Sequence, residues 1–365
     1  MARPRSAPEL PACYAMVQPG LEPVAADEIE RDLGGEVKKT SPGIVVFRVP
    51  AIDDNLLRLR TVEDVFLLAW GTDQLTHRAE DLEKIERWTA REPDWPRLLR
   101  LHHDILPKPK GKPSYHLVTQ KDGEHAYLRR DARKTLANGL VKVFPDSWRE
   151  VEEDAAVEVW LTIVEKTAVC GLRLSDRTMR HRTYKLEHRP ASLRPTVAAA
   201  MVRLAEFRPR QIILDPMCGA GTILAEYLAL ARTWRGVKTP TALGGDLEFG
   251  AAKAASINVR RLGPSLLCRW DATRLPLPDA ATDRIVCNPP FGKQLSDPAA
   301  VGALYRRAVP EFDRVLRPGG VAVLLVSDAA ALRSAVRPVG WKSLRELRLR
   351  VLGQPALITV WRKEA

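Results

Sequence analysis

The sequence predicts an α/β chain: a doubly wound, mostly parallel sheet over residues 191–365, preceded by two smaller α+β modules. Three observations carry this reading. Gln211-Ile212-Ile213-Leu214, the turn Asp215 to Thr222 and the apolar helical pattern from Ile223 to Leu228 read as strand, Gly-rich turn and helix. That is how a nucleotide-binding doubly wound sheet begins. Three further short apolar runs follow, and they end in Asp246, Asp271 and Asn288. The first 175 residues instead alternate short strand and helix patterns, with turn signals between them.

Taken in order, residues 14–17, 23–33 and 43–47 read strand, helix, strand. A helix over 53–60 and a strand over 64–70 continue a ferredoxin-like pattern, and 80–88 is a further helix. These elements make a first domain of residues 1–95. A Pro/Lys loop spans 106–113. A strand over 114–119, the turn Lys121-Asp122-Gly123, a helix over 131–144 and strands over 156–165 and 168–174 make a second domain, 96–175. Residues 176–190 form a basic linker. The third domain, 191–365, then has strands over 211–214, 241–246, 265–272, 283–287 and 320–327, with a helix over 301–316 before the last of these. A closing hairpin pairs 345–352 with 356–362 around Gly353-Gln354-Pro355. The expected total is seven strands with an antiparallel edge.

A chain of 365 residues has ample core for several domains. No run of about 18 apolar residues occurs, so no membrane span is expected. Residues 1–13 lack an apolar segment of the secretory kind. The five cysteines (Cys13, Cys170, Cys218, Cys268, Cys287) form no C-x-x-C pair. This argues against bound metal and against a disulfide framework, and suggests a cytoplasmic protein. Residues 1–190 carry 31 Lys/Arg and 31 Asp/Glu, whereas 191–365 carry 26 and 14. The whole net charge of +12 therefore lies in the third domain, which favours a polyanionic partner. Between Arg173 and Arg194 lie seven Lys/Arg against Asp176 and Glu187. Arg177, Arg180, Arg182, Lys185 and Arg189, with His181 and Tyr184 among them, read as a phosphate-binding stretch.

The most specific signal is Cys287-Asn288-Pro289-Pro290-Phe291-Gly292-Lys293. The amino group of a purine or cytosine is a poor nucleophile, because its lone pair is delocalised into the ring. Methylating it requires both hydrogens to be held and the lone pair to be aimed. The Asn288 side-chain carbonyl is one acceptor and the Pro289 backbone carbonyl a second. The prolines fix φ and stiffen the turn, and Phe291 offers a flat face to an extruded base. The upstream turn lacks both G-x-G-x-x-G and the Lys-Ser/Thr of a phosphate loop. Asp215 would repel a pyrophosphate but attract the ammonium or sulfonium of S-adenosylmethionine. Gly219 and Gly221 let the backbone approach a ligand. Asp246 stands where ribose hydroxyls are bound. Asp271 can accept from an adenine amino group, and the Ala272 N–H can meet the ring nitrogen. Cys218 and Thr222 lie in the same turn. The cysteines read as packing residues, since no histidine stands nearby to activate them. No general base is evident, so positioning is expected to supply most of the effect.

On these motifs, residues 191–365 resemble a Rossmann-like class I S-adenosylmethionine-dependent methyltransferase. More narrowly, Asp-Pro-Met-Cys-Gly-Ala-Gly-Thr and Asn-Pro-Pro-Phe-Gly-Lys resemble the THUMP-domain tRNA guanine-N2 methyltransferases. The resemblance implies that Asp215, Cys218, Gly219, Gly221, Thr222, Asp246, Asp271, Ala272 and Asn288 bind the cofactor. It implies that Asn288, Pro289 and Phe291 hold the target guanine, with Lys293 near the RNA. Ala191-Ser192-Leu193-Arg194-Pro195-Thr196 is similar to the family's segment opening the catalytic domain, whose following helix can aim its N-terminus at the cofactor carboxylate. The N-terminal domains are similar in pattern to the family's ferredoxin-like and THUMP domains, the latter a grip on the tRNA acceptor end. The implied activity is formation of N2-methylguanosine in the acceptor stem, best at position 6, by a monomer. A tRNA guanine-10 enzyme, a ribosomal RNA guanine-N2 enzyme, a DNA amino-methyltransferase and an RNA-binding protein without activity remain as alternatives.

Overall fold

The computed structural model describes residues 10–107, 111–145, 147–190, 192–234, 241–291 and 298–364. The chain forms two compact units. One comprises the described residues up to Val17 together with Ala25–Met179, the other Gln18–Val24 together with Arg180 to the C-terminus. Residues 180–190 of the predicted linker therefore belong with the second unit.

In the first unit the elements are β1 (Cys13–Val17), α1 (Glu22–Leu33), β2 (Glu36–Ser41), β3 (Ile44–Arg48), β4 (Val62–Thr72), α2 (Glu80–Arg91), α3 (Trp95–Ile105), β5 (Ser114–Asp122), α4 (Arg129–Val141), β6 (Arg149–Glu150), β7 (Val157–Val164), β8 (Thr167–Arg173) and α5 (Thr178–His181). The eight strands make one continuous sheet, ordered β2-β3-β1-β4-β8-β7-β5-β6. Strands from both sides of residue 95 thus share a single ladder, joined where β4 pairs antiparallel with β8. A buried ion network sits on that seam. Arg173 meets Asp64 at 2.7 Å and Glu158 at 3.0 Å, and Ser175 donates to Asp64 at 2.9 Å. The guanidinium also lies over the Trp160 ring, 5.4 Å from its centroid.

Several elements were not expected, and in this unit β2 and α3 are the longest of them. β2 reads Glu-Val-Lys-Lys-Thr-Ser and has no apolar run, because it is an edge strand with alternate residues exposed. α3 does carry a start signal: Asp94 accepts the Arg97 N–H at 3.0 Å, with Pro96 beside it in the first turn. The helix expected over 53–60 is a short 3-10 turn, Asp54–Arg58.

The second unit contains α6 (Pro195–Leu204), β9 (Ile213–Asp215), α7 (Thr222–Ala231), β10 (Ala242–Asp246), α8 (Phe249–Val259), β11 (Ser265–Arg269), β12 (Thr282–Cys287), α9 (Pro298–Val315), β13 (Leu316–Val326), α10 (Ala329–Val336), β14 (Lys342–Val351) and β15 (Gln354–Arg362). The order is β11-β10-β9-β12-β13-β15-β14. The first five are parallel, and β15 runs antiparallel to both neighbours. The antiparallel strand is therefore next to the edge, with β14 outermost. Leu352 and Gly353 turn the closing hairpin, both at positive φ, which is the twist a two-residue turn needs. Leu214, Ile285, Leu324, Tyr305, Phe312 and Trp361 belong to the core on which this sheet is built. The chain runs outward from β9 through β10 to β11, and in the other direction from β12 to β13. The gap between β9 and β12 is thus the switch point, where such sheets bind ligands beyond their carboxyl ends.

Candidate active site

The turn after β9 is held by backbone before any side chain acts. Cys218 N–H donates to Gly245 of β10 at 2.9 Å, and Gly221 N–H closes on the Cys218 carbonyl at 2.7 Å. Gly219 and Gly221 have φ of +52° and +74°, a region other residues avoid. Their surroundings differ. A Cβ on Gly221 would lie 2.9 Å from the Ala255 Cβ, so this glycine lets α8 close on the turn. A Cβ on Gly219 would meet no atom within 4 Å. The open side of the turn is at Gly219. Cys218, Thr222 and Ala272 are buried.

The four strand-end residues all stand on the carboxyl edge of the sheet. Asp215 is 1% exposed, accepts the Met217 N–H at 3.3 Å and takes a hydrogen bond from the Cys287 thiol. Burial pushes its carboxyl up to about 8; the Met217 N–H opposes this, and the charge of Asp246 adds to it. Being buried, it could act on a bound cation only through its field. Asp246 accepts from the N–H groups of Gly219 at 2.9 Å and Glu248 at 3.0 Å, tying β10 to the turn and to the start of α8. Asp271 is exposed. Its Oδ1 accepts from the Thr273 N–H and hydroxyl at 2.9 and 2.8 Å, and Arg307 stands 3.7 Å from Oδ2. The Thr273 hydrogen bonds hold this carboxyl below its ordinary range. Trp270, not expected in the site, packs over Gly245 and donates to the Pro216 carbonyl at 2.9 Å. Leu247 and Phe249, 63% and 68% exposed, follow Asp246 and give this strand end an apolar lip suited to a flat ring.

At the end of β12, Asn288 is half-buried. Its Oδ1 is shielded from solvent and has no hydrogen-bond partner among the described residues. A buried acceptor without a donor costs about 1–3 kcal/mol, so this oxygen is open to an N–H from a ligand. Pro289 and Phe291 are buried, so the ring expected to receive a base is covered here. Lys293 lies outside the described residues. The thiols of Cys218 and Cys287 are pushed well up by burial, which agrees with packing roles.

These residues fit S-adenosylmethionine. The turn leaves room at Gly219, Asp215 is buried with no paired cation among the described residues, and exposed Leu247 and Phe249 follow Asp246. No group of three or more His, Cys, Asp or Glu among the described residues could hold a metal ion.

The basic stretch is partly turned inward. Arg182 was expected to face phosphates, but its guanidinium pairs with the buried Glu226 of α7 at 3.1 Å, and Tyr184 donates to the same carboxylate at 2.7 Å. Lys185 donates to the Leu193 carbonyl at 3.2 Å, and burial lowers its pKa. These two are corrected to structural roles, for which Glu226 gives no sequence signal beyond an acid in an apolar helix. Arg189 pairs with Glu248, Arg177 is exposed and Arg180 half-exposed. Ser192, from the motif resembling a domain opening, stands 3.4 Å from the Thr222 hydroxyl; Ala191 lies outside the described residues.

A family model described as an RMKL-like methyltransferase domain matches residues 182–354. The chain is 28% identical over 331 residues to the tRNA (guanine(6)-N2)-methyltransferase of Thermus thermophilus, covering 89% of this chain and 91% of the relative. It is 28% identical over 269 residues to the tRNA (guanine(6)-N(2))-methyltransferase THUMP3 of Mus musculus, covering 69% and 52%. The chain thus spans about half the length of that mammalian relative. The crystal structure of TrmN from Thermus thermophilus superposes with a TM-score of 0.76 at 26% identity, over 96% of this chain and 99% of that one. SMU.472, solved with SAH, superposes at 0.70 over 98% and 100%, and at 16% identity shows the fold alone. Residues 182–354 thus match the model of the RMKL-like methyltransferase domains, and the chain takes the class I, S-adenosylmethionine-dependent methyltransferase fold.

Proposed function

We propose that this chain methylates the exocyclic N2 of a guanine in tRNA, at position 6 of the acceptor stem. The observation that carries the reading is the buried Oδ1 of Asn288 at the switch point, without a hydrogen-bond partner among the described residues. S-adenosylmethionine, when bound, supplies an electrophilic methyl group. The chain supplies position. Asn288 Oδ1 and the Pro289 carbonyl each accept one amino hydrogen, which aims the lone pair and favours the positive charge the nitrogen gains. The guanine must leave its stem, at a cost of a few kcal/mol that pocket contacts offset. Phe291 would have to come out of its buried place to stack on it.

The two relatives named above support guanine-N2 of tRNA and position 6. The net charge of +12, all within residues 191–365, supports an RNA partner, and the N-terminal unit is read as the grip on the acceptor 3′ end. A second reading has its own support: a Mus musculus relative named U6 snRNA (guanine-N(2))-methyltransferase THUMPD2 is 32% identical over 202 residues, 54% of this chain and 35% of that protein. Incubation with tritiated S-adenosylmethionine and separate tRNA, small nuclear RNA, ribosomal RNA and DNA pools decides between them. Label is expected in tRNA as N2-methylguanosine. Label in another pool moves the substrate there, and no label in any of them overturns the proposal.

A further inference from the structure

Asn258, on α8, is 2% exposed and uses the full hydrogen-bonding capacity of a primary amide. Its Nδ2 donates to the Ala220 carbonyl at 2.9 Å and to the Glu187 carbonyl at 3.0 Å. Its Oδ1 accepts the N–H groups of Leu186 and Glu187, both at 2.8 Å. Ala220 stands between Gly219 and Gly221, the two left-handed positions of the cofactor turn. Leu186 and Glu187 belong to the basic stretch that Glu226 anchors through Arg182 and Tyr184. One buried side chain therefore grips the crest of the turn and the backbone of that stretch together.

We propose that Asn258 is a positioning residue that makes the shape of the cofactor turn and the placement of residues 186–187 depend on each other. It touches no reacting atom. A ligand that fixes the turn also fixes the Ala220 carbonyl, and Asn258 passes that order to two N–H groups on another segment. The dependence is reciprocal: an RNA that orders 182–189 strengthens cofactor binding by the factor with which cofactor strengthens RNA binding. A residue that merely satisfied buried backbone would stabilise the fold without linking the two.

The inference rests on the turn being the cofactor site, and the experiment separates the two ideas. Backbone amide exchange is measured on the full chain with and without S-adenosylhomocysteine, with calorimetry reporting binding. Exchange at Leu186 and Glu187 is expected to slow by roughly tenfold on binding. Binding with unchanged exchange at these amides overturns the proposal while leaving the cofactor site intact. Absence of binding sinks the cofactor reading, and this proposal with it. In Asn258→Asp the two accepted bonds survive and both donated bonds are lost. The dissociation constant for S-adenosylhomocysteine is expected to rise roughly tenfold, with kcat at saturating cofactor little changed. An unchanged constant in a folded variant, or a fall in kcat alone, refutes the role. Should this variant not fold, the exchange measurement on the native chain decides.

Discussion

The roles proposed for Asn288 and Asp215 differ in kind, and single substitutions separate them. Asn288→Ala removes a preorganised acceptor from the reacting nitrogen. Turnover should fall by roughly 10²–10³, with cofactor affinity unchanged by calorimetry; near-normal turnover would dismiss the assigned role. Asp215 is proposed to act through the charge it takes on when a cation binds. Because burial holds its carboxyl up at about 8, it is mostly neutral at pH 7 before a cation arrives. A raised carboxyl stabilises the unliganded fold fully below the ordinary Asp range near pH 4, and that contribution is lost as pH climbs through 8. A cationic ligand reverses the preference. Cofactor affinity should therefore rise between about pH 6 and 8, and Asp215→Asn should flatten the profile. A flat profile in the native chain would show that Asp215 carries no such linkage. These residues were legible in the sequence because each closes an apolar run in the correct order. Asn258 and Glu226 were not. Nothing around residue 258 hints that its amide meets residues 186, 187 and 220, since that meeting exists only once α8 packs against the turn.

The central strands of the second unit, β9, β10, β12 and β13, were legible because parallel strands buried on both faces read as short apolar runs. β2 was illegible for the converse reason, as an edge strand needs no apolar face. The seam between β4 and β8 was illegible because its pairing joins residues about a hundred positions apart, a distance local patterns do not report. Its ion network is testable. Removing one partner of a buried pair leaves the other uncompensated, typically at about 3–5 kcal/mol. Arg173→Met should destabilise the first unit by that order in denaturant unfolding, stranding the Asp64 carboxylate. Asp64→Asn with Arg173→Met should recover part of the loss. A single variant as stable as the native chain would mean that the network contributes little.

The charge asymmetry between the two parts of the chain has consequences at the scale of the complex with RNA. Binding driven by phosphate contacts should weaken linearly on a log–log plot against salt, with a slope near −0.9 for each phosphate neutralised on a duplex stem. Arg177→Ala should reduce the slope by about one, whereas Arg182→Ala should destabilise the fold through Glu226 instead. If the first unit holds the tRNA 3′ end, removing the unpaired tail should abolish methylation while cofactor still binds. Equal rates on intact and tail-less tRNA would give that unit another purpose.

The continuous eight-stranded sheet also constrains how such a chain can be recombined. Two modules joined by a linker can be exchanged one at a time between genes, because each brings its own complete surface. Here residues 96–175, transplanted alone, would carry β8 with one side of its ladder open, and the remainder would keep β4 equally bare. Each fragment would present a long, uncovered row of backbone donors and acceptors, the kind of edge that recruits other chains. The N-terminal unit is therefore expected to fold only when transplanted whole, and insertions that survive should map to its loops rather than to residue 95.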